Sequence, residues 1–336
     1  MNPLSAVYGH VARLRRSWYE QRPHTRRRLD RPVISVGNLV VGGSGKTPAV
    51  AAIARLLCDM GERPAILSRG YARRKTVDGV VVVSDGMRVL EPVDRSGDEP
   101  FMLAHALPET PVLVSADRFL AGRLAESRFG CTVHILDDGF QHLQLARTID
   151  VLLVSPGDLA ERILPSGRLR EGLDAARVAD ALLVSGTTDD VSRVSAALNV
   201  TTAFRMESRF GSLRPLGEGE APAPAGARVV AVAGIARPER FFRALREQGW
   251  NVVAEIAFAD HHWYTAKDLA SINNVAQETH ARVVVTTEKD AVRVGQQAWW
   301  AALPMQVVIE PEDRFTSWLR ERLPPSPLRG YGEASR

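Results

Sequence analysis

Val33-Ile-Ser-Val-Gly-Asn-Leu-Val-Val-Gly-Gly-Ser-Gly-Lys46-Thr47-Pro48 is an apolar, β-branched run that breaks into a glycine turn and continues with helical periodicity. Gly42, Gly43 and Gly45 permit positive φ and let backbone N–H groups approach an anion, with Ser44 between them. Lys46 supplies a point charge for the outer phosphates of a nucleotide, and Thr47 a hydroxyl for the magnesium that accompanies them. Beyond the turn, Val50, Ile53, Ala54 and Leu57 follow the i, i+3, i+4, i+7 spacing of a helix, and Gly61 marks its end. Pro48 suits a first helical turn, and the helix N-terminus adds its dipole to the anion site. Val40 stands where the usual G-x-x-x-x-G-K-[ST] pattern has glycine. The competing reading is a strand-to-helix turn that is merely rich in glycine. Strand, Gly-Lys-Thr end and amphipathic helix together favour a phosphate cradle, so Gly42 to Thr47 are the candidate nucleotide-binding residues.

A second landmark is Cys131-Thr-Val-His-Ile-Leu-Asp137-Asp138-Gly139, a strand that ends in two acids. In P-loop enzymes such a carboxylate holds magnesium beside the loop hydroxyl. Adjacent aspartates are costly to leave unpaired, so a cation or arginines are expected near them. Four further stretches place chemistry on loops. Arg69 follows a short strand and is a candidate for substrate phosphate or a solvated loop residue. Asp98, in Gly97-Asp-Glu-Pro100, reads as a helix cap, as a base for an attacking hydroxyl, or as both. Arg170 and Glu171, in Leu164-Pro-Ser-Gly-Arg-Leu-Arg-Glu171, read as a phosphate contact and a metal-shell carboxylate, or as surface salt bridges. Asp260-His261-His262 lies in an aromatic loop; no cysteine or helical His-x-x-x-His completes a zinc site with it, and a catalytic or orienting histidine competes with a packed one.

Alternating apolar strands and helical segments predict an α/β fold, with a mainly parallel sheet in a P-loop NTPase-like domain. The predicted organisation is a basic segment 1–31, a P-loop domain 32–210, a Pro- and Gly-rich linker 211–227, a smaller α/β domain 228–322 and a loose tail 323–336. The chain of 336 residues is 45% hydrophobic, enough for two cores, and no stretch reaches the ~18 to 20 apolar residues of a membrane span. Its two cysteines, Cys58 and Cys131, fit a reducing compartment, and the first residues lack a secretory pattern, so the chain is expected to stay in the cytoplasm. The net charge of +4 is uneven: residues 1–31 carry +6 and the remainder −2. Leu4, Val7, Tyr8, Val11, Leu14 and Trp18 share one helical face of that basic segment, with Arg15 intruding on it. Such a helix suits an anionic membrane surface, the alternatives being packing on the protein body and a nucleic-acid arm.

The ordered set Val36 to Pro48, Ser68-Arg-Gly-Tyr71, Gly97-Asp-Glu-Pro100, Asp137-Asp-Gly-Phe-Gln-His142, Leu164 to Glu171, Asp260-His-His262 and Thr287-Glu-Lys-Asp290 resembles the tetraacyldisaccharide 4′-kinase family, the lipid A kinases. The Val40 departure resembles a trait of that family, as does the basic N-terminal helix. The resemblance implies transfer of the γ-phosphoryl of ATP, with Mg2+, to the 4′-hydroxyl of tetraacyldisaccharide 1-phosphate, giving lipid IVA for lipopolysaccharide. It implies peripheral contact with the cytoplasmic face of a Gram-negative inner membrane through residues 1–31, and no nucleic acid. By carry-over, Asp98 is the base for the sugar hydroxyl and His261 partners it, while Lys46 serves the phosphates; since Asp98 and His261 lie in different predicted domains, the domains are expected to close over bound nucleotide to bring the pair together. A P-loop GTPase of the metallochaperone or switch type is the alternative; it usually carries [NT]-K-x-D, and in Thr287-Glu-Lys-Asp290 the lysine is one place late.

Overall fold

The computed structural model describes residues 2–43, 45–71, 73–75, 77–218 and 223–325, so the loop residue Ser44 and most of the expected tail lie outside it. Fourteen strands are present among these residues: Val33–Asn38 (β1), Pro64–Ser68 (β2), Val81–Asp85 (β3), Pro111–Val114 (β4), Val133–Asp137 (β5), Ile149–Val154 (β6), Ala181–Ser185 (β7), Ala203–Phe210 (β8), Arg214–Pro215 (β9), Arg228–Ala233 (β10), Asn251–Ala257 (β11), Val283–Thr287 (β12), Trp300–Leu303 (β13) and Met305–Glu310 (β14). Nine form one sheet in the order β14-β8-β7-β6-β1-β5-β2-β4-β3. Its inner strands are parallel, and the edge strands β3 and β14 are antiparallel to their neighbours.

β1 is buried along its whole length because elements pack on both faces of the sheet, which is why it reads as an apolar run without alternation. β5 lies beside β1 with Val36 opposite Asp137, so the glycine turn and the paired acids emerge together. The Asp-Asp-Gly turn folds back over β1: a Cβ on Gly37 would lie 2.5 Å from the Phe140 Cβ, so only glycine admits this approach. The second sheet has the order β11-β10-β12-β13-β9 and its own core around Val229, Ala231, Phe242, Leu245 and Val285.

Two boundaries differ from the sequence reading. Residues 306–310, expected in the smaller unit, belong to β14 and pair with β8 of the large sheet. The helix Glu312–Arg322 follows them there, packing Phe315 and Trp318 against Phe204. Strand spacing could not assign that segment because only Pro304 separates β13 from β14. Nor is 211–227 simply a linker: Arg214–Pro215 pairs with β13, and Leu213 and Ala223 are buried in the smaller core. The chain thus crosses between the units twice, and the Gly211 N–H donates to the Pro304 carbonyl at 2.9 Å where the two crossings meet.

The helix Pro3–Gln21 is capped by the Asn2 side chain, which accepts from the Leu4 N–H at 3.0 Å. It docks through small and polar residues. Ser5 meets Ser166 at 2.8 Å, and Gly9 allows close approach to Ile163, whose Cδ1 would lie 2.9 Å from an added Cβ. Leu4, Val7, Tyr8, Val11, Leu14 and Trp18 remain 41% to 66% exposed.

Candidate active site

The cradle forms where β1 ends. Gly42 and Gly45 have φ of +95° and +78°, and the helix Lys46–Asp59 starts directly after them. Lys46 Nζ donates to Asn38 Oδ1 at 3.1 Å and lies 3.6 Å from Asp138 Oδ1. Val40 is buried and bridged to Leu169; the Val41 N–H donates to the Arg168 carbonyl at 2.8 Å and the Arg170 N–H to the Leu39 carbonyl at 2.7 Å. Valine therefore stands in place of glycine because this part of the turn pairs as a strand with the 168–170 loop. That pairing brings in Arg170, whose guanidinium donates to Asp138 Oδ2 at 2.8 Å, Gln141 Oε1 at 3.1 Å and Asn38 Oδ1 at 3.2 Å.

The two aspartates have opposite electrostatics. Burial pushes the Asp137 carboxyl up to about 6, and Glu99 and Asp138 add to the rise, against the Ser68 hydroxyl that donates to it at 3.0 Å. Asp138 is also raised by burial, but Lys46 and Arg170 outweigh that and hold it below the usual carboxylate range. Asp138 adopts φ +53°, a left-handed conformation that aspartate tolerates better than most residues, and its Oδ1 is buried without a hydrogen-bond partner. A buried acid that resists ionisation, beside an acid whose Oδ1 has the Lys46 ammonium at 3.6 Å and no hydrogen bond, is a pair suited to a cation. Among the described residues no cluster of three or more His, Cys, Asp or Glu is present. Magnesium, bound by one or two carboxylates with the rest of its shell from phosphate and water, fits such a pair.

The third group joins the two units. His261 Nδ1 lies 2.7 Å from Asp98 Oδ2, and Arg293 Nε lies 3.5 Å from the same oxygen. Asp98 begins the helix Asp98–Ala106 with Gly97 as its cap, so the acid is within the first turn and is 3% exposed. His261 adopts φ +60° and its N–H donates to the Gly234 carbonyl at 3.2 Å. Sequence reasoning expected closure to bring Asp98 and His261 together; here they are already hydrogen-bonded. The second histidine has another task, stacking on Phe258 at 4.5 Å and meeting Asp268 at 3.1 Å. Asp290 is fully buried, accepting from the Gly234 N–H and the Thr287 hydroxyl and pairing with Arg293 at 3.0 Å.

Some residues fall elsewhere than expected. Glu171, expected in the metal shell, is buried in a two-point ion pair with Arg16 of the N-terminal helix, at 2.5 and 2.8 Å. Arg16 also donates to the Phe140 carbonyl and lies over the Phe140 ring. Arg15, expected to intrude on the apolar face, donates to the Gln141 carbonyl at 3.2 Å. Arg69 is exposed beside buried Arg118, whose guanidinium is pushed down to about 10 by burial and then by Arg69. Sequence reasoning missed Arg118, Asn38, Glu99, Lys289 and Arg293 as members of the site. Asn38, Glu99 and Lys289 sit inside motifs already singled out, whereas nothing local marks Arg118 or Arg293.

The family model described as Tetraacyldisaccharide-1-P 4′-kinase matches residues 1–324. The tetraacyldisaccharide 4′-kinase of Pelobacter propionicus is 42% identical over 298 residues, covering 87% of this chain and 82% of that protein. That of Koribacter versatilis is 40% identical over 302 residues, covering 88% and 89%. The crystal structure of LpxK from Aquifex aeolicus in complex with ATP superposes with a TM-score of 0.78 at 32% identity, covering 96% of this chain and 98% of that one. With its cradle, paired acids and Asp98–His261 contact in one α/β frame, the chain belongs to the tetraacyldisaccharide 1-phosphate 4′-kinase family.

Proposed function

We propose that Asp98, held by His261, is the base through which this kinase phosphorylates the 4′-hydroxyl of tetraacyldisaccharide 1-phosphate from ATP. The carrying observation is the 2.7 Å contact between Asp98 and His261, which joins the two units. The neighbouring Glu99 is close enough to Asp137 to raise its pKa, so the pair borders the metal-binding end of the cradle. His261 and Arg293 both act on Asp98 Oδ2, and Oδ1 is the oxygen we assign to the sugar hydroxyl. As the hydroxyl oxygen bonds to the γ-phosphorus its proton passes to Asp98, and the bond to the bridging oxygen breaks with its electron pair staying on ADP.

The remaining residues position and neutralise. Gly42, Gly43 and Gly45 line the backbone cradle, and Lys46 and Arg170 balance phosphate charge. Asp137, Asp138 and Thr47 would hold magnesium, which when bound with the nucleotide offsets charge on the β- and γ-phosphoryl oxygens. Arg69, with Arg118 behind it, is assigned to the phosphate already on the substrate.

Residues 1–31 are assigned to the membrane. The apolar stripe from Leu4 to Trp18 faces outward in a segment of net charge +6, a combination that suits the anionic inner leaflet at which a lipid substrate resides. None of the described helices is long and apolar enough to cross a membrane. We place the enzyme at the cytoplasmic face of the inner membrane as a peripheral protein. A guanine-reading role for Asp290 is disfavoured, since both its oxygens are engaged within the fold.

The test is transfer of labelled phosphate from ATP and from GTP to the lipid in mixed micelles, with Lys46→Ala as control. Lipid product that needs ATP and Lys46 supports the assignment; nucleotide hydrolysis without lipid product, or a preference for GTP, contradicts it.

A further inference from the structure

Lys289 sits at a junction that the phosphoryl-transfer scheme does not use. Its ammonium donates to Asp260 Oδ1 at 3.1 Å, lies 3.3 Å from Glu99 Oε1 and contacts His261 Nε2 at 3.1 Å. Its side chain is largely buried, and it stands on the short helix Glu288–Val294, one turn before Arg293, which contacts Asp98. One small helix thus addresses both members of the Asp98–His261 pair.

The protonation of the pair follows from what each group can donate. An ammonium has hydrogens and no acceptor, so a hydrogen bond between Lys289 and His261 requires Nε2 to be the bare, accepting nitrogen. In a neutral imidazole the proton is then on Nδ1, which donates it to Asp98 Oδ2, an arrangement that favours the carboxylate form of Asp98. The other candidate partner of Nε2, the second Asp260 oxygen, is 3.9 Å away, beyond hydrogen-bonding reach. His261 meets Asp98 of the helix Asp98–Ala106, Asp260 on its own loop, Lys289 of the short helix and the Tyr71 ring at 5.5 Å, and one contact farther out stand Glu99 on Lys289, Arg293 on Asp98 and Asp290 on Arg293. Without the ammonium, the acids in this set draw a proton onto Nε2. The resulting imidazolium would pair with Asp98 and reduce its basicity.

Accepting Asp98 as the base, we propose that Lys289 is a positioning residue of the kinase: it fixes His261 as the neutral Nδ1–H tautomer, keeping Asp98 anionic for the sugar hydroxyl. The proton taken from the hydroxyl stops at Asp98, because His261 already donates to it from Nδ1 and its Nε2 lone pair is engaged by Lys289. The same contacts tie Glu99 of the large unit to Asp260 of the smaller one.

The tautomer can be read in the wild-type enzyme. With 15N-histidine labelling of the full chain in detergent micelles, His261, assigned by its loss in His261→Gln, should show a bare Nε2 and a protonated Nδ1 at neutral pH. The companion experiment is the pH profile of kcat/KM for Lys289→Met, Lys289→Arg and Asp98→Asn. Lys289→Met should lower kcat about tenfold or more at pH 7, leave the affinity for ATP within twofold, and move the acid limb to higher pH by a unit or more. Lys289→Arg, which keeps a donor, should restore the wild-type limb. A protonated Nε2 in the wild-type enzyme, or an unshifted limb in Lys289→Met, overturns the role of Lys289. If Asp98→Asn retains transfer, the base assignment itself fails; if it is inactive while the Lys289→Met limb is unmoved, only the present inference falls.

Discussion

Arg16, on the helix whose apolar side faces outward, holds both carboxylate oxygens of Glu171, the residue that follows Arg170 of the site. The guanidinium and the carboxylate are each almost fully buried, with Phe140 beneath the guanidinium. The helix is therefore fastened to the same loop that reaches Asp138 and Asn38 through Arg170.

Breaking that pair from one side leaves a buried charge. Glu171→Gln should destabilise the fold by about 3 kcal/mol, and Arg16→Met by a similar amount, since either change leaves the other charge buried without its partner. Replacing both with Met should recover most of the loss. Chemical denaturation of the three variants measures this; equal and additive losses would show that the two residues do not act as a pair.

The outward stripe makes its own prediction. Val7→Asp with Leu14→Asp should leave the fold's thermal stability nearly unchanged, since both residues are exposed. The same variant should lose flotation with anionic phospholipid vesicles, because each buried aliphatic side chain contributes roughly 1.5 to 3 kcal/mol. Flotation equal to wild type would remove the membrane role from this face.

Asp137 gives the protein a pH signature. Its pKa is raised to about 6 in the fold, above an ordinary aspartate. The unfolded chain ionises first as pH rises, so stability present near pH 4 is lost by about pH 6. Asp137→Asn removes this loss. The variant should match wild type near pH 4 and be more stable by about 2 to 3 kcal/mol at pH 7.5 in metal-free buffer. Melting curves across that range test it. Magnesium with ATP should raise the melting temperature of the wild-type protein more than that of the variant.

The glycine turn and the acids beside it were legible in sequence because both are continuous: strand, turn and helix fall within one window, and β5 ends in its own acids. His261 was found through its motif, and its pairing with Asp98 through family resemblance. The hydrogen bond itself spans two units and 163 positions and has no local signal. Arg293 and Arg118 were missed for the same reason, as each resembles an ordinary helix arginine until folding brings acids near it. Glu171 was misplaced because a carboxylate in a basic loop suits a metal as well as a guanidinium, and the guanidinium comes from 155 residues away. The return of β14 to the large sheet was equally hidden, since alternation predicts a strand without saying which edge receives it.

The most direct test of the account is single-turnover phosphate transfer to tetraacyldisaccharide 1-phosphate by Asp98→Asn, with ATP binding measured on the same preparation. The account predicts transfer reduced by about a hundredfold or more with ATP affinity within a few fold of wild type, since Asp98 acts on the hydroxyl and touches no phosphate. Transfer within twofold of wild type would contradict it.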